Sequence, residues 1–114
     1  MKGMREVNLE LGRPTVSEAL QRLEAELRQT RLLRDPVLKI IHGYGSSGTG
    51  GKIRTACRRI LSEKKRLGQI RDFIPGEDFS IFSAATREAF SSCGALRQDR
   101  DLDRYNNGVT FIVL

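Results

Sequence analysis

Between Glu6 and Leu11 apolar and polar residues alternate, with Val7, Leu9 and Leu11 on one face and Asn8 and Glu10 on the other. That period of two predicts a half-buried strand. Gly12-Arg13-Pro14 turns the chain, and Thr15 followed three residues later by Glu18 is a capping-box pattern that opens a helix. Val16, Leu20, Leu23, Leu27 and Thr30 then recur every three or four residues as one buried stripe, and Glu24 and Arg28 form an outward i,i+4 pair. Val37–Ile41, short, apolar and β-branched, follows Asp35-Pro36 as a second strand. A strand, a helix and a strand at this spacing make a βαβ unit with parallel strands and a right-handed crossover. The carboxyl ends of parallel strands emerge together. Glu10–Arg13 and His42–Gly45 are therefore expected along one rim, where ligands of open α/β sheets gather.

The pattern from Ile53 to about Arg66 predicts a second helix that buries Ile53, Cys57, Ile60 and Leu61. This spacing sets Arg54, Arg58 and Lys65 on one outward ridge and Arg59 and Arg66 on another. Gly68 suits a left-handed cap. Gln69–Ile74 reads as a third strand stopped by Pro75-Gly76, and Ser83–Cys93 as a short helix closed by Gly94. Gln98–Arg104, QDRDLDR, has charges that largely cancel and reads as a solvated loop. Val109–Leu114 is apolar and β-branched-rich, a final strand that is central or well covered. No repeat, low-complexity tract or linker divides residues 1–114, which are expected to form one domain.

At 114 residues the chain is long enough for one core without staples. Its two cysteines, Cys57 and Cys93, suit a reducing compartment and read as packing residues. Met1–Arg5 lacks the apolar run of a secretory signal and no stretch approaches transmembrane length, so the cytoplasm is expected and a membrane partner is not. The net charge of +6 is concentrated. From Lys52 to Arg71 there are eight Lys and Arg residues opposed by Glu63 alone. Localised positive charge suits a polyanion, with a solvated helix face as the plainer alternative.

Between the second strand and second helix lies His42-Gly43-Tyr44-Gly45, followed by Gly48, Gly50, Gly51 and Lys52. Glycines let backbone amides approach a ligand closely, and a helix N-terminus beyond them favours an anion. Gly43-x-Gly45-x-x-Gly48 spells a dinucleotide fingerprint, but Arg66-Leu67-Gly68 stands where an acid should end the next strand. A phosphate-loop NTPase pattern fails as well, because Ser46 replaces its first glycine and Ile53 its magnesium-binding hydroxyl.

The run KIIHGYGSSGTGGKIR resembles the HGxG signature of the Smr (small MutS-related) domain, through His42, Gly43 and Gly45. Thr15-Val16-Ser17-Glu18-Ala19-Leu20 is similar to that family's T-V-x-E-A-L helix start, and Gly108–Leu114 to its final strand. Leu9-Glu10-Leu11-Gly12-Arg13 occupies the place of the family's LDLHG, with Glu10 for the aspartate, Gly12 for the histidine and Arg13 for the glycine. The resemblance implies an α/β two-layer sandwich, a mixed four-stranded sheet with a βαβαβ start, an extra short helix and a C-terminal strand.

It also implies a stand-alone domain that binds DNA or RNA, in repair and recombination or around the ribosome. An endonuclease and a protein-interaction module are the alternatives. The implied catalytic candidates are His42 and Glu10. His42 serves as an acid or base, holds the glycine loop in place or, as preferred here over proton transfer, contacts phosphate or sugar; Glu10 binds a metal, orients His42 or is an ordinary exposed strand residue. The nucleic-acid contacts implied are Arg13, His42, Gly43, Tyr44, Gly45, Lys52, Arg54, Arg58 and Lys65. Arg13 offers a fork for phosphate oxygens, and Tyr44 either stacks on a base or packs on the loop. No metal ligands are assigned and no cofactor is expected, a divalent metal entering only with the nuclease reading. DNA versus RNA and the oligomeric state stay open.

Overall fold

The computed structural model describes residues 3–44 and 49–114. Four strands and three α-helices follow in the order β1 (Met4–Asn8), α1 (Val16–Leu32), β2 (Val37–Ile41), α2 (Thr49–Arg66), β3 (Asp72–Pro75), α3 (Ala84–Ser92) and β4 (Val109–Val113). Short 3-10 turns at Gly76–Asp78 and Gly94–Gln98 flank α3. The sheet order is β1-β2-β4-β3, with β1 parallel to β2 and β4 antiparallel to both its neighbours. The last strand is thus inserted centrally, and all five of its residues are buried.

Period-two alternation distributes each strand between two cores. Leu38 and Ile40 of β2 and Ile112 of β4 pack with Leu23 and Leu27 of α1 and Ile53, Cys57 and Leu61 of α2. Val37, Phe111 and Val113 face the other way, onto Phe79, Ala89, Phe90 and Leu96. Helices α1 and α2 make the expected helical layer, and the extra short helix covers the opposite face. Thr15 and Glu18 close the capping box of α1 reciprocally, at 3.1 and 2.8 Å.

Two expectations need correction. The first strand ends at Asn8 instead of Leu11, because the chain leaves the ladder in a tight turn. The Asn8 side chain accepts the Glu10 amide at 2.8 Å, Gly12 and Arg13 have φ of +81° and +51°, and Arg22 from α1 donates to the carbonyls of Leu9 and Leu11 at 3.1 and 2.9 Å. Leu11 is left 66% exposed, and Glu10 moves from a strand face to the rim.

The segment 98–104 is no solvated loop. Lys39, in the middle of β2, is completely buried, and its ammonium requires partners in that position. Asp99 accepts from Nζ with both oxygens at 3.0 Å, and Glu6 is 3.5 Å away. Asp101 lies 2.6 Å away as an ion pair without aligned hydrogen-bond geometry, and its other oxygen accepts from Asn106 at 2.9 Å. Asp99 and Asp101, read as solvated, are counter-ions of a buried lysine, whereas Asp103 stays exposed and accepts from the Ile81 amide.

Among the described residues no helix is long and apolar enough to cross a membrane.

Candidate nucleic-acid interface

At the C-terminal rim of the sheet, β2 and β4 pair Ile41 with Val109, so the residues after β2 meet those before β4. The Gly108 carbonyl accepts both the His42 and the Gly43 amides at 3.0 Å. His42 itself is fully buried. Its Nδ1 lies 2.8 Å from the Gly43 carbonyl and its Nε2 lies 2.7 Å from Thr110 Oγ1.

The chemistry of the partners fixes the proton. The Gly43 carbonyl can only accept, so Nδ1 must carry the hydrogen; Nε2 of the neutral ring accepts from the Thr110 hydroxyl, whose oxygen accepts from Arg58 Nε at 3.3 Å. Nδ1 is then the protonated nitrogen and donates to the Gly43 carbonyl. Arg58 is anchored in turn by Glu77, which accepts two bonds at 2.7 Å, and by the Val109 carbonyl at 3.4 Å. Burial holds the imidazole down at about 4, well below its ordinary value; the Gly43 hydrogen bond opposes this, and Arg58 and Arg54 push it further down. His42 is therefore neutral at physiological pH, with both nitrogens engaged inside the protein. The ring thus turns inward, onto the Gly43 carbonyl and Thr110, where the expectation was a phosphate or sugar contact.

Glu10 and the turn do come together. Gly43 has φ +75°, and a Cβ there would lie 2.6 Å from the Glu10 carboxylate carbon, so the glycine is needed both for its backbone angle and for the space. Arg13 is exposed beside Glu10, and its amide donates to the Glu10 carbonyl at 3.1 Å. Tyr44 is 57% exposed, with one ring edge against Gly108. Gly45 lies outside the described residues. Among the described residues no group of three His, Cys, Asp or Glu side chains is placed to hold a metal ion, and the donor set at the rim does not fit a divalent cation, which needs several oxygens.

The cations of α2 divide into two sets. The ridge Arg54–Arg58–Lys65 was expected to face outward. Its Arg58 and Lys65 lie beside β3 and the turn that follows it, Lys65 remaining about half exposed. Carboxylates of β3 and the following turn meet them: Asp72 pairs with Lys65 at 3.0 Å and Glu77 with Arg58. Glu24 of α1 takes Lys64 at 2.8 Å, and Glu63 takes Arg66. The first turns are different. Among the described residues Lys52, Arg54 and Arg59 have no carboxylate partner, and neither has Arg13. Lys52 and Arg59 line an open groove with Val16, Gly51, Thr55 and Ala56, between the starts of α1 and α2.

Sequence reasoning did not select Arg59, Thr110, Glu77 or Arg22. Only Thr110 carries a readable signal: a hydroxyl in an otherwise apolar strand needs a buried partner. Both cysteines are free and buried, and burial pushes the Cys57 thiol up to about 12, so it packs and does not react.

An α/β domain whose glycine turn and helix start share a basic rim belongs to a class suited to phosphate-bearing polymers. The Smr domain model matches residues 9–78. The crystal structure of the Smr domain of Thermus thermophilus MutS2 matches over 96% of both chains, with a TM-score of 0.57 and 25% sequence identity. No curated protein matches the chain. The chain belongs to the Smr domain family, whose members generally bind or nick nucleic acids.

Proposed function

We propose that this chain binds nucleic acid through phosphate and sugar contacts along the rim and the first turns of α2, without cleaving it. The observation that carries this reading is the distribution of ion pairs: among the described residues Arg13, Lys52, Arg54 and Arg59 form no ion pair with a carboxylate, whereas Arg58 and Lys65 are committed to Glu77 and Asp72. Phosphate contacts of this kind fix position on the polymer without reading its sequence.

Each phosphate neutralised on duplex DNA contributes a slope of about −0.9 to log K against log salt. Replacing Lys52, Arg54 and Arg59 together by Ala is expected to flatten that slope by roughly 2 to 3. Lys65→Ala is expected to change it by less than one such unit, because its ammonium is already paired. An unchanged slope in the triple variant sinks the assignment.

Nicking is the second reading, favoured by the Glu10 carboxylate lying against Gly43. Strand cleavage also requires a group to move the proton, and His42 offers neither a free nitrogen nor exposure. The wild-type chain is expected to leave supercoiled plasmid intact with magnesium, with manganese and with chelator. Robust nicking that is lost in Glu10→Gln would replace the binding-only reading with the nuclease one.

A further inference from the structure

We infer that Tyr44 and Tyr105 form a stacking platform for the unpaired bases of a single-stranded nucleic acid. The inference rests on the nucleic-acid reading above and adds the class of substrate. The chain has five Phe, two Tyr and no Trp. Phe79, Phe90 and Phe111 are buried, Phe73 is half-buried, and Phe82, in the turn before α3, is 83% exposed. The tyrosines are left in water, Tyr44 at 57% and Tyr105 at 71% exposure, on the same edge of a molecule that buries a histidine and a lysine.

Their common position follows from the strand pairing. Tyr44 is the third residue after β2 and Tyr105 the fourth before β4, and those strand ends are paired. The Tyr44 ring rests against Gly108. Three residues of chain, no more than about 11 Å of backbone, separate Gly108 from Tyr105. Tyr105 is held at φ +57° and Asp103 at φ +61°, left-handed conformations that non-glycine residues seldom adopt.

The charge on this rim is mixed, with the Glu10 carboxylate against Gly43 and a set of cations around it. Arg13 emerges from the turn after β1 on this rim, and Lys52 and Arg54 lie at the start of α2 beyond the glycine turn. These cations match a phosphate backbone, and the rings match base faces. A duplex encloses those faces within its own stack, whereas a single strand presents them.

With no tryptophan present, the tyrosine emission of the native chain is readable and comes from these two residues alone. The test titrates the purified chain with 12-nucleotide oligo(dT) and oligo(U) and with a 12-base-pair duplex. Single strands are expected to quench the tyrosine emission. Tyr44→Ala and Tyr105→Ala are each expected to weaken single-strand binding about tenfold, within the range for loss of one stacked base. Tyr→Phe variants should stay within about twofold of wild type, with an unchanged salt slope. Duplex affinity should be little affected by any of them.

Tyr105→Gly, which removes the ring and tolerates the left-handed angle, keeps the test decisive should Tyr105→Ala fold poorly. Alanine variants that bind single strands like wild type would overturn the platform, as would equal losses on single strand and duplex. If those variants bind normally while the Lys52, Arg54 and Arg59 triple variant does not, the basic rim stands and the platform falls; such rings would suit a protein partner. If the wild type binds none of the oligonucleotides, the nucleic-acid reading falls first and the platform with it.

Discussion

Lys39→Ala is expected to destabilise the fold by about 3–5 kcal/mol, the cost of breaking a buried ion cluster by removing one sign of charge. The ammonium is enclosed by Asp99 and Asp101, whose side chains are themselves almost wholly buried, and Glu6 completes the group from β1. Without it, two close carboxylates would face one another beneath the sheet, beside the Phe111 ring over which Nζ now lies at 5.2 Å. Lys39→Met preserves volume and should be no milder, because the uncompensated charge is the problem. Adding Asp99→Asn and Asp101→Asn to Lys39→Met should recover a large part of the loss, since replacing a buried ion group as a whole costs far less than halving it. Denaturant unfolding at pH 7, followed by circular dichroism, reads both effects. A loss below about 1 kcal/mol in Lys39→Ala would mean that water reaches the carboxylates. The same cluster docks 99–106, the segment leading to Tyr105 and Gly108, so a destabilised variant should also loosen the rim.

What could be read from the sequence depended on whether a residue's neighbours were local. The α1 stripe, its capping box, the apolar β2 and the β-branched β4 follow from spacing alone, and so did the shared rim, because parallel strands end together. Partners from distant parts of the chain were not legible. QDRDLDR reads as solvated until β2 is seen to bury Lys39 opposite it, sixty residues away in sequence. Lys39 itself was the available clue: a lysine in the centre of a short strand flanked by Leu38 and Ile40 requires a carboxylate from elsewhere. The pairing of Arg58 and Lys65 on α2 was not legible for a related reason. Helical periodicity says which residues share a face but not that Asp72 and Glu77 will stand beside it. Alternation carried β1 too far, to Leu11, because the Asn8 cap and the grip of Arg22 on the Leu9 and Leu11 carbonyls pull the chain out of the ladder.

Acidification from pH 7.5 to pH 5 is expected to remove about 2 kcal/mol of stability through His42 alone. The unfolded imidazole binds a proton near pH 6.5, whereas in the folded chain burial holds it down at about 4. Between those values the unfolded state binds more protons than the folded one, so stability rises with pH. The contribution is fully present above 6.5 and is lost as pH falls toward 4. The whole shift corresponds to roughly 3 kcal/mol at 1.36 kcal/mol per pKa unit. This is the chain's one histidine, so no second imidazole titrates in the window. The carboxyls of Glu77 and Asp101 are also held low; burial raises each, but Arg58 outweighs it for Glu77, and Lys39 and Asn106 outweigh it for Asp101. Their stability contributions are present above the ordinary carboxylate range and disappear only below it. Urea melts at half-unit pH intervals should show the slope in wild type and none between pH 5 and 7.5 in His42→Gln, which will itself be less stable. Direct titration of the imidazole by proton NMR should find it neutral at pH 6. An imidazole that titrates between 6 and 7, with stability flat across the window, would mean that His42 opens to solvent, and would return it to the rim as a group able to meet phosphate or move a proton.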